Sequence, residues 1–170
     1  MGATVGGELL SLFDHVADRT VARLEGLSDD EYRWKPAPGA ADLGAKRAEL
    51  VDGRGNPKVT TIAWRLVHVS DAVARHPLNG LLQPGFTPSA RERPRSALAG
   101  VDHFRRSYDE WRCVIEAVGD PTWLEPLGPA AGPFADSTAL AVALHTADEL
   151  IHHTAEIALL RDLYRHRKGA

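Results

Sequence analysis

The chain of 170 residues has one cysteine and one methionine. A single cysteine excludes an internal disulfide, a zinc knuckle and a CxxC redox pair. Long apolar runs are missing too: no stretch approaches the ~18 uninterrupted apolar residues of a membrane span. Charge of one sign is not in excess. Lys plus Arg number 20 against 23 Asp plus Glu, a formal net charge of −3, so nothing argues for a nucleic-acid or membrane surface. Met1–Gly6 has no basic patch followed by an apolar core, and Gly6 stands where a myristoylation signal wants Ser or Thr. No targeting segment is therefore expected, and the expected compartment is the cytoplasm. Strand-like alternation and internal repeats are absent as well. What remains is the composition of an ordinary globular chain, 44% hydrophobic and 25% charged, of a length that fits one domain over 1–170. Its one excess is in histidine, of which there are eight.

The apolar pattern is helical almost throughout. Leu9, Leu10, Phe13, Val16, Ala17, Val21 and Leu24 predict a helix over 7–25, closed by Gly26. Ser28, three residues before Glu31, reads as the cap of a short turn. Residues 35–57 are rich in Gly and Pro and predict a crossover with a helical turn near 45–51. Ile62, Leu66, Val69 and Val73 predict a helix over 59–76, and Leu98 through Val118 another over 91–118. The Gly/Pro-rich stretch 120–136 predicts a loop, after which Ser137 is the expected cap of a last helix running to about 166. Four long helices with long crossovers predict an all-α four-helix bundle that is not simply up-down-up-down.

The last helix carries the chemistry. It is apolar nearly all round, which predicts burial, yet His145, Glu149, His152, His153 and Glu156 share one stripe. Buried ionisable groups need partners, and a cation is an economical one. Glu149 and His153, spaced i, i+4, can reach one point above the helix, the geometry by which HExxH presents two zinc ligands. A catalytic site wants a third protein ligand and an open position. His68 is the candidate, because it sits off the Ile62/Leu66/Val69/Val73 face. A lone histidine on a buried helix is more often a satisfied core residue than a ligand. For the pair plus a third histidine, spacing leaves metal binding and a plain buried network as equal readings. Glu149 and His152 also match half of a di-iron Glu-x-x-His motif, but the chain has no second copy.

The segments Val59–His68 and Glu149–Tyr164, with Leu27–Glu31 and Trp34-Lys35-Pro36, resemble the DinB-like superfamily across essentially the whole chain. More narrowly they are similar to the branch that includes mycothiol-dependent maleylpyruvate isomerase. That resemblance implies a four-helix bundle of DinB-like type, often dimeric, with one ligand from the second long helix and two from the last. Most of the superfamily uses three histidines, whereas this branch uses His, Glu and His. His68, Glu149 and His153 stand at the matching places. Thiol-transferring members bind a low-molecular-weight thiol near the metal. The isomerases carry a further C-terminal domain, so maleylpyruvate isomerisation itself is not the expected reaction here.

Two neutral imidazoles and one carboxylate favour Zn²⁺, with Ni²⁺ or Fe²⁺ as alternatives. Such a centre lowers the pKa of a thiol or a water, or polarises a carbonyl. The expected function is thiol transfer to a small electrophile. A metal-dependent hydrolase, a specialised biosynthetic enzyme and a non-catalytic, stress-associated binding protein are its rivals. His145 is the candidate proton shuttle or substrate contact. Glu156 is expected to hydrogen-bond a ligand histidine, with His152 beside it. Arg65 would either pair with Glu156 or hold a substrate carboxylate. Cys113 reads as a small core residue, the four tryptophans as core or pocket lining, and 91–95 as a solvated helix start. His15 is ambiguous, and His76 and His166 read as surface residues. The loops 35–57, 77–90 and 120–136 are expected to line the pocket mouth.

Overall fold

A computed structural model describes residues 4–74, 79–80 and 93–167 of the chain. Among them are four long helices: α1 (Val5–Leu24), α3 (Ile62–Ala74), α4 (Ala97–Ala117) and α6 (Ala139–His166). Two short ones, α2 (Asp29–Tyr32) and α5 (Asp120–Trp123), sit in the connections. There is no strand among the described residues; isolated bridges such as Ala41 to Thr60 are the only extended pairings. α3 packs against α4 and α6, and α1 packs against the same two helices. Each long connection, from α1 to α3 and from α4 to α6, therefore crosses to a helix that is not its main neighbour.

The core is the one the apolar stripes predict. Phe13 and Val16 from α1, Leu66 and Val69 from α3, Phe104 and Trp111 from α4, and Leu150 and Ile157 from α6 are all buried. Phe13 meets Trp111 edge to face, 5.7 Å between ring centroids. Hydroxyls that fall on the buried faces satisfy themselves within their own helix. Thr20 donates to the Val16 carbonyl, Ser70 to Leu66, Thr146 to Val142 and Thr154 to Leu150, all at 2.6–3.0 Å.

Several boundaries differ from those the pattern predicts. α1 begins at Val5, because Thr4 caps it by accepting from Gly7 N–H. α3 begins at Ile62, since Val59 and Thr61 are held extended by backbone bonds to Ala41. α4 begins six residues later than predicted: Ser96 is its cap, and 93–95 are not helical, with Pro94 among them. Thr138, not Ser137, caps α6; the Ser137 backbone is taken up by Phe134 and Leu127. The predicted loop 120–136 holds α5 and a 3₁₀ helix over Pro129–Phe134, and the turn near 45–51 is a 3₁₀ helix over Arg47–Leu50.

Two burial expectations are corrected. α6 is buried along one face only; Leu144, Ile151, Leu159 and Leu163 on the other are exposed. Apolar residues spread round a helix carry no direction, so the pattern overstated its burial. Cys113 is exposed, because the buried stripe of α4 runs through Phe104, Ser107, Tyr108, Trp111, Val114 and Ile115 and passes it by. His15 and His166 are exposed, while His76 and residues 91–92 lie outside the described residues. The loop 77–90 also falls outside them, apart from Asn79 and Gly80.

One close approach is conspicuous. Tyr32, fully buried, packs against Gly100 on α4. A Cβ at position 100 would stand 2.7–2.9 Å from the Tyr32 hydroxyl and ring carbons. Gly100→Ala should gain about 1 kcal/mol of helix propensity and lose about 1–3 kcal/mol to overpacking. Since the obstructing ring is buried and cannot swing away, the expected net result is a lower denaturation midpoint in urea. An unchanged or raised midpoint would show that Tyr32 yields freely.

Candidate metal centre

The site forms where α3 faces α6. His68 stands two turns into α3, and Glu149, His153 and Glu156 follow one another along α6. One ligand atom from each of His68, Glu149 and His153 lies within 4.8 Å of the others. The Glu149 carboxylate Oε2 is 3.6 Å from His68 Nε2 and 3.4 Å from His153 Nε2. Ligands about 2.0–2.1 Å from a tetrahedral zinc are separated by roughly 3.3–3.4 Å. The donor set and its spacing therefore fit a divalent cation at the point on which these three atoms converge.

The groups behind the triad fix its atoms. His153 Nδ1 is 2.7 Å from Glu156 Oε2, and the Arg65 guanidinium pairs with the same carboxylate oxygen. Arg65 also lies 3.1 Å from His153 Nδ1. A carboxylate at that distance assigns the proton to Nδ1, so Nε2 keeps its lone pair on the side of Glu149 and His68. This is the carboxylate–histidine arrangement that orients a metal ligand. His152 Nε2 reaches the other oxygen of Glu156 at 3.4 Å, but its side chain is 62% exposed. The Trp64 indole stacks on the His68 ring, 4.8 Å between centroids and 15° between planes. The two histidine rings stand edge to face at 4.7 Å.

The electrostatics suit a neutral imidazole. Burial, then the neighbouring His68 and Arg65, push His153 from its ordinary 6.5 down to about 4. Burial also lowers the Arg65 guanidinium. Because the folded His153 value lies below the unfolded one, the unfolded chain takes up this proton first. This contribution is fully present above about pH 6.5 and is lost as pH falls towards 4. The metal-free protein should lose stability on the order of 2 kcal/mol across that window, read as a falling denaturation midpoint. His153→Gln should flatten this part of the profile; an unaltered slope would assign the acid sensitivity elsewhere.

Each residue singled out by the sequence can now be placed. His68, Glu149 and His153 come together, with Glu156 behind His153. Of the two readings for Arg65, the structure has the ion pair with Glu156. His145 is exposed one turn before Glu149 and makes no hydrogen bond, ion pair or ring contact among the described residues. Sequence reasoning gave Trp64 only as core or pocket lining, and it did not single out His103, a buried histidine outside the cluster. Trp64 lies one turn before His68, and that i, i+4 spacing was its available signal. His103 on α4 is 5% exposed, with Nε2 3.6 Å from Asp71 Oδ1 and Nδ1 without a partner among the described residues. Nothing local in the sequence marks His103.

Fold and site together define a helical bundle with a His/Glu/His donor cluster between two of its long helices. Residues 12–157 match the family model of the DinB superfamily, and the chain belongs to that superfamily, whose members often bind a divalent metal. Searches of curated proteins and of solved structures returned no match. Among the described residues no helix is long and apolar enough to cross a membrane.

Proposed function

We propose that this chain is a divalent-metal-dependent enzyme that uses a low-molecular-weight, mycothiol-like thiol against a small electrophile. The observation that carries the reading is the convergence of His68 Nε2, Glu149 Oε2 and His153 Nε2, backed by Glu156 and Arg65. In this reading His68, Glu149 and His153 hold the ion, zinc before nickel or iron. Two neutral imidazoles and one carboxylate leave a bound divalent ion a net positive charge, with which it makes a thiol nucleophilic at neutral pH. The chain's own part is positional. Glu156 accepts the His153 Nδ1 proton, Arg65 holds Glu156, and Trp64 keeps the His68 ring in its plane. The single cysteine, Cys113, is on the exposed face of α4 and is not among the cluster residues, so the reacting sulfur arrives on the small molecule. His145 would move a proton at the open side of the centre. The reading extends to a single cytoplasmic domain over 1–170, a homodimer, and no nucleic-acid or membrane partner.

A specific observation favours a rival from another class. The charged groups behind the triad are paired with one another, Arg65 with Glu156 and Glu156 with two histidines, which suits a protein that binds metal without turning over. Untagged protein loaded with Zn²⁺, Ni²⁺ or Fe²⁺ separates the two. Incubated with several low-molecular-weight thiols and a small alkylating electrophile, it should give a thioether adduct by mass spectrometry, at a rate that falls to background after chelation. Stoichiometric metal with no metal-dependent adduct from any thiol would leave the binding protein. Release of a hydrolysed product instead would assign the same centre to hydrolysis.

A further inference from the structure

A second cluster, away from the donor triad, is cationic. Arg33 follows α2, and Arg93 and Arg95 flank Pro94 just before α4. With Asp42 and Leu43 these residues line a cavity of about 390 Å³. Among the described residues no carboxylate pairs with any of the three guanidinium groups. Asp42, the one acid among the described lining residues, is committed elsewhere: its Oδ1 accepts from Leu43 N–H at 2.7 Å and from the Thr61 hydroxyl at 2.8 Å. Three positive charges and one negative among the described lining residues sum to +2. Like charges gathered without counter-charges repel, and a structure holds them together at a cost unless an anion offsets it.

The walls are held in place by bonds that do not consume this charge. Asp29 Oδ1 accepts from Ala97 N–H at 2.7 Å, which ties the end of the 93–96 segment to the start of α2. Arg33 donates to the Arg95 carbonyl, which fixes its guanidinium against the same segment. Arg93 Nη1 lies against Gly44, where a Cβ would stand 3.4 Å from it. Gly44 has φ +89°, a conformation that side-chain-bearing residues rarely adopt, so the turn leaves that space to Arg93. Forked guanidinium donors from two chain segments suit a group with several acceptor oxygens arranged in three dimensions.

We infer that the Arg33/Arg93/Arg95 cavity is an anion site for a phosphate or phosphate monoester. The dianion would match the +2 charge, and three forks would meet more oxygens than one carboxylate has. The inference is independent of the metal reading. Asp42 and Thr61 place the cavity by the start of α3, two turns before His68.

The test is calorimetric titration of the full chain with inorganic phosphate, at constant ionic strength held by chloride. The protein is first treated with chelator, and His153→Ala serves as a second background, so that binding to a metal cannot be mistaken for this site. Saturable one-to-one binding is expected in both. Arg93→Gln and Arg95→Gln should each weaken it about tenfold. Arg54→Gln removes an equal charge from an exposed turn and should leave it unchanged. Phosphate should bind more tightly than succinate at equal ionic strength. No saturable binding, an equal loss with Arg54→Gln, or tighter binding of succinate would each overturn the assignment. Phosphate binding that survives in a protein unable to hold metal would support it even if the proposed enzyme activity failed.

Discussion

Arg161→Met is expected to lower the unfolding free energy by about 3–5 kcal/mol, and with it the melting temperature by about 10 °C for a chain of this size. Arg161 on α6 is 1% exposed and its partner Glu31 on α2 is 4% exposed. The pair is bidentate, Nε to Oε1 at 2.7 Å and Nη2 to Oε2 at 3.2 Å. The remaining nitrogen, Nη1, donates to the carbonyls of Arg23 and Glu25, the latter at 3.0 Å. Those carbonyls belong to the end of α1, where the chain turns through Gly26. One guanidinium thus closes the last turn of α1, the first turn of α2 and the C-terminal half of α6 upon each other. Methionine fills much of the volume but leaves a buried carboxylate without a cation and two carbonyls without a donor.

The pair also tests whether its value lies in attraction or in avoided loss. Glu31→Leu combined with Arg161→Met removes both charges. Replacing a whole buried ion pair by apolar residues is often neutral, so the double variant should recover most of the stability lost by Arg161→Met. Only the carbonyls of Arg23 and Glu25 stay unpaired. Urea denaturation of Arg161→Met, Glu31→Leu and the double variant gives the coupling directly. A loss below about 1 kcal/mol for Arg161→Met would mean that water reaches the pair.

This pair also marks a limit of sequence reading. Glu31 lies beside a cap and Arg161 on an otherwise regular helix, 130 positions apart, and no periodicity links them. What was legible was local. The four long helices follow from stripes such as Ile62, Leu66, Val69 and Val73, because a helix repeats its buried face every 3.6 residues. Boundaries set by neighbours were not legible. Ile62 starts α3 because Ala41 holds Val59 and Thr61 extended, and Ala41 belongs to another segment. The same division runs through the site. Glu149 and His153 are visible as an i, i+4 pair, and Glu156 as the next turn. That His68 faces them depends on how α3 packs against α6. That Arg65 reaches the carboxylate behind His153, and not the open side, is a matter of tenths of an ångström that no spacing records.

Removing the imidazole of His153 is expected to abolish stoichiometric metal binding, and the losses across the site should be graded. Untagged wild type, purified with added Zn²⁺ and dialysed, should retain about one equivalent by elemental analysis. His68→Ala, Glu149→Gln and His153→Ala each delete one of three converging donors; two protein ligands leave too little of a closed coordination set to survive dialysis. Glu156→Gln keeps all three donors but replaces the carboxylate that receives the His153 Nδ1 proton and pairs with Arg65. A lost partner of this kind costs about 10–100-fold in affinity, so this variant should retain metal at saturating concentration and lose it to a weak chelator. His145→Ala, with no contact to the cluster, should bind as wild type does. The fold should tolerate the substitutions at His68 and Glu149, whose side chains are 39% and 36% exposed, so loss of metal there is not loss of structure. Ion binding to the folded state alone should raise the melting temperature, and chelation should reverse it. Wild type without stoichiometric metal would sink the ligand assignment. Equal affinity in Glu156→Gln and His145→Ala would leave the triad standing and remove the supporting role assigned to Glu156. Since the donor atoms already converge across two helices and the proton on His153 already points away from them, the expected order is set by the bundle before any ion arrives.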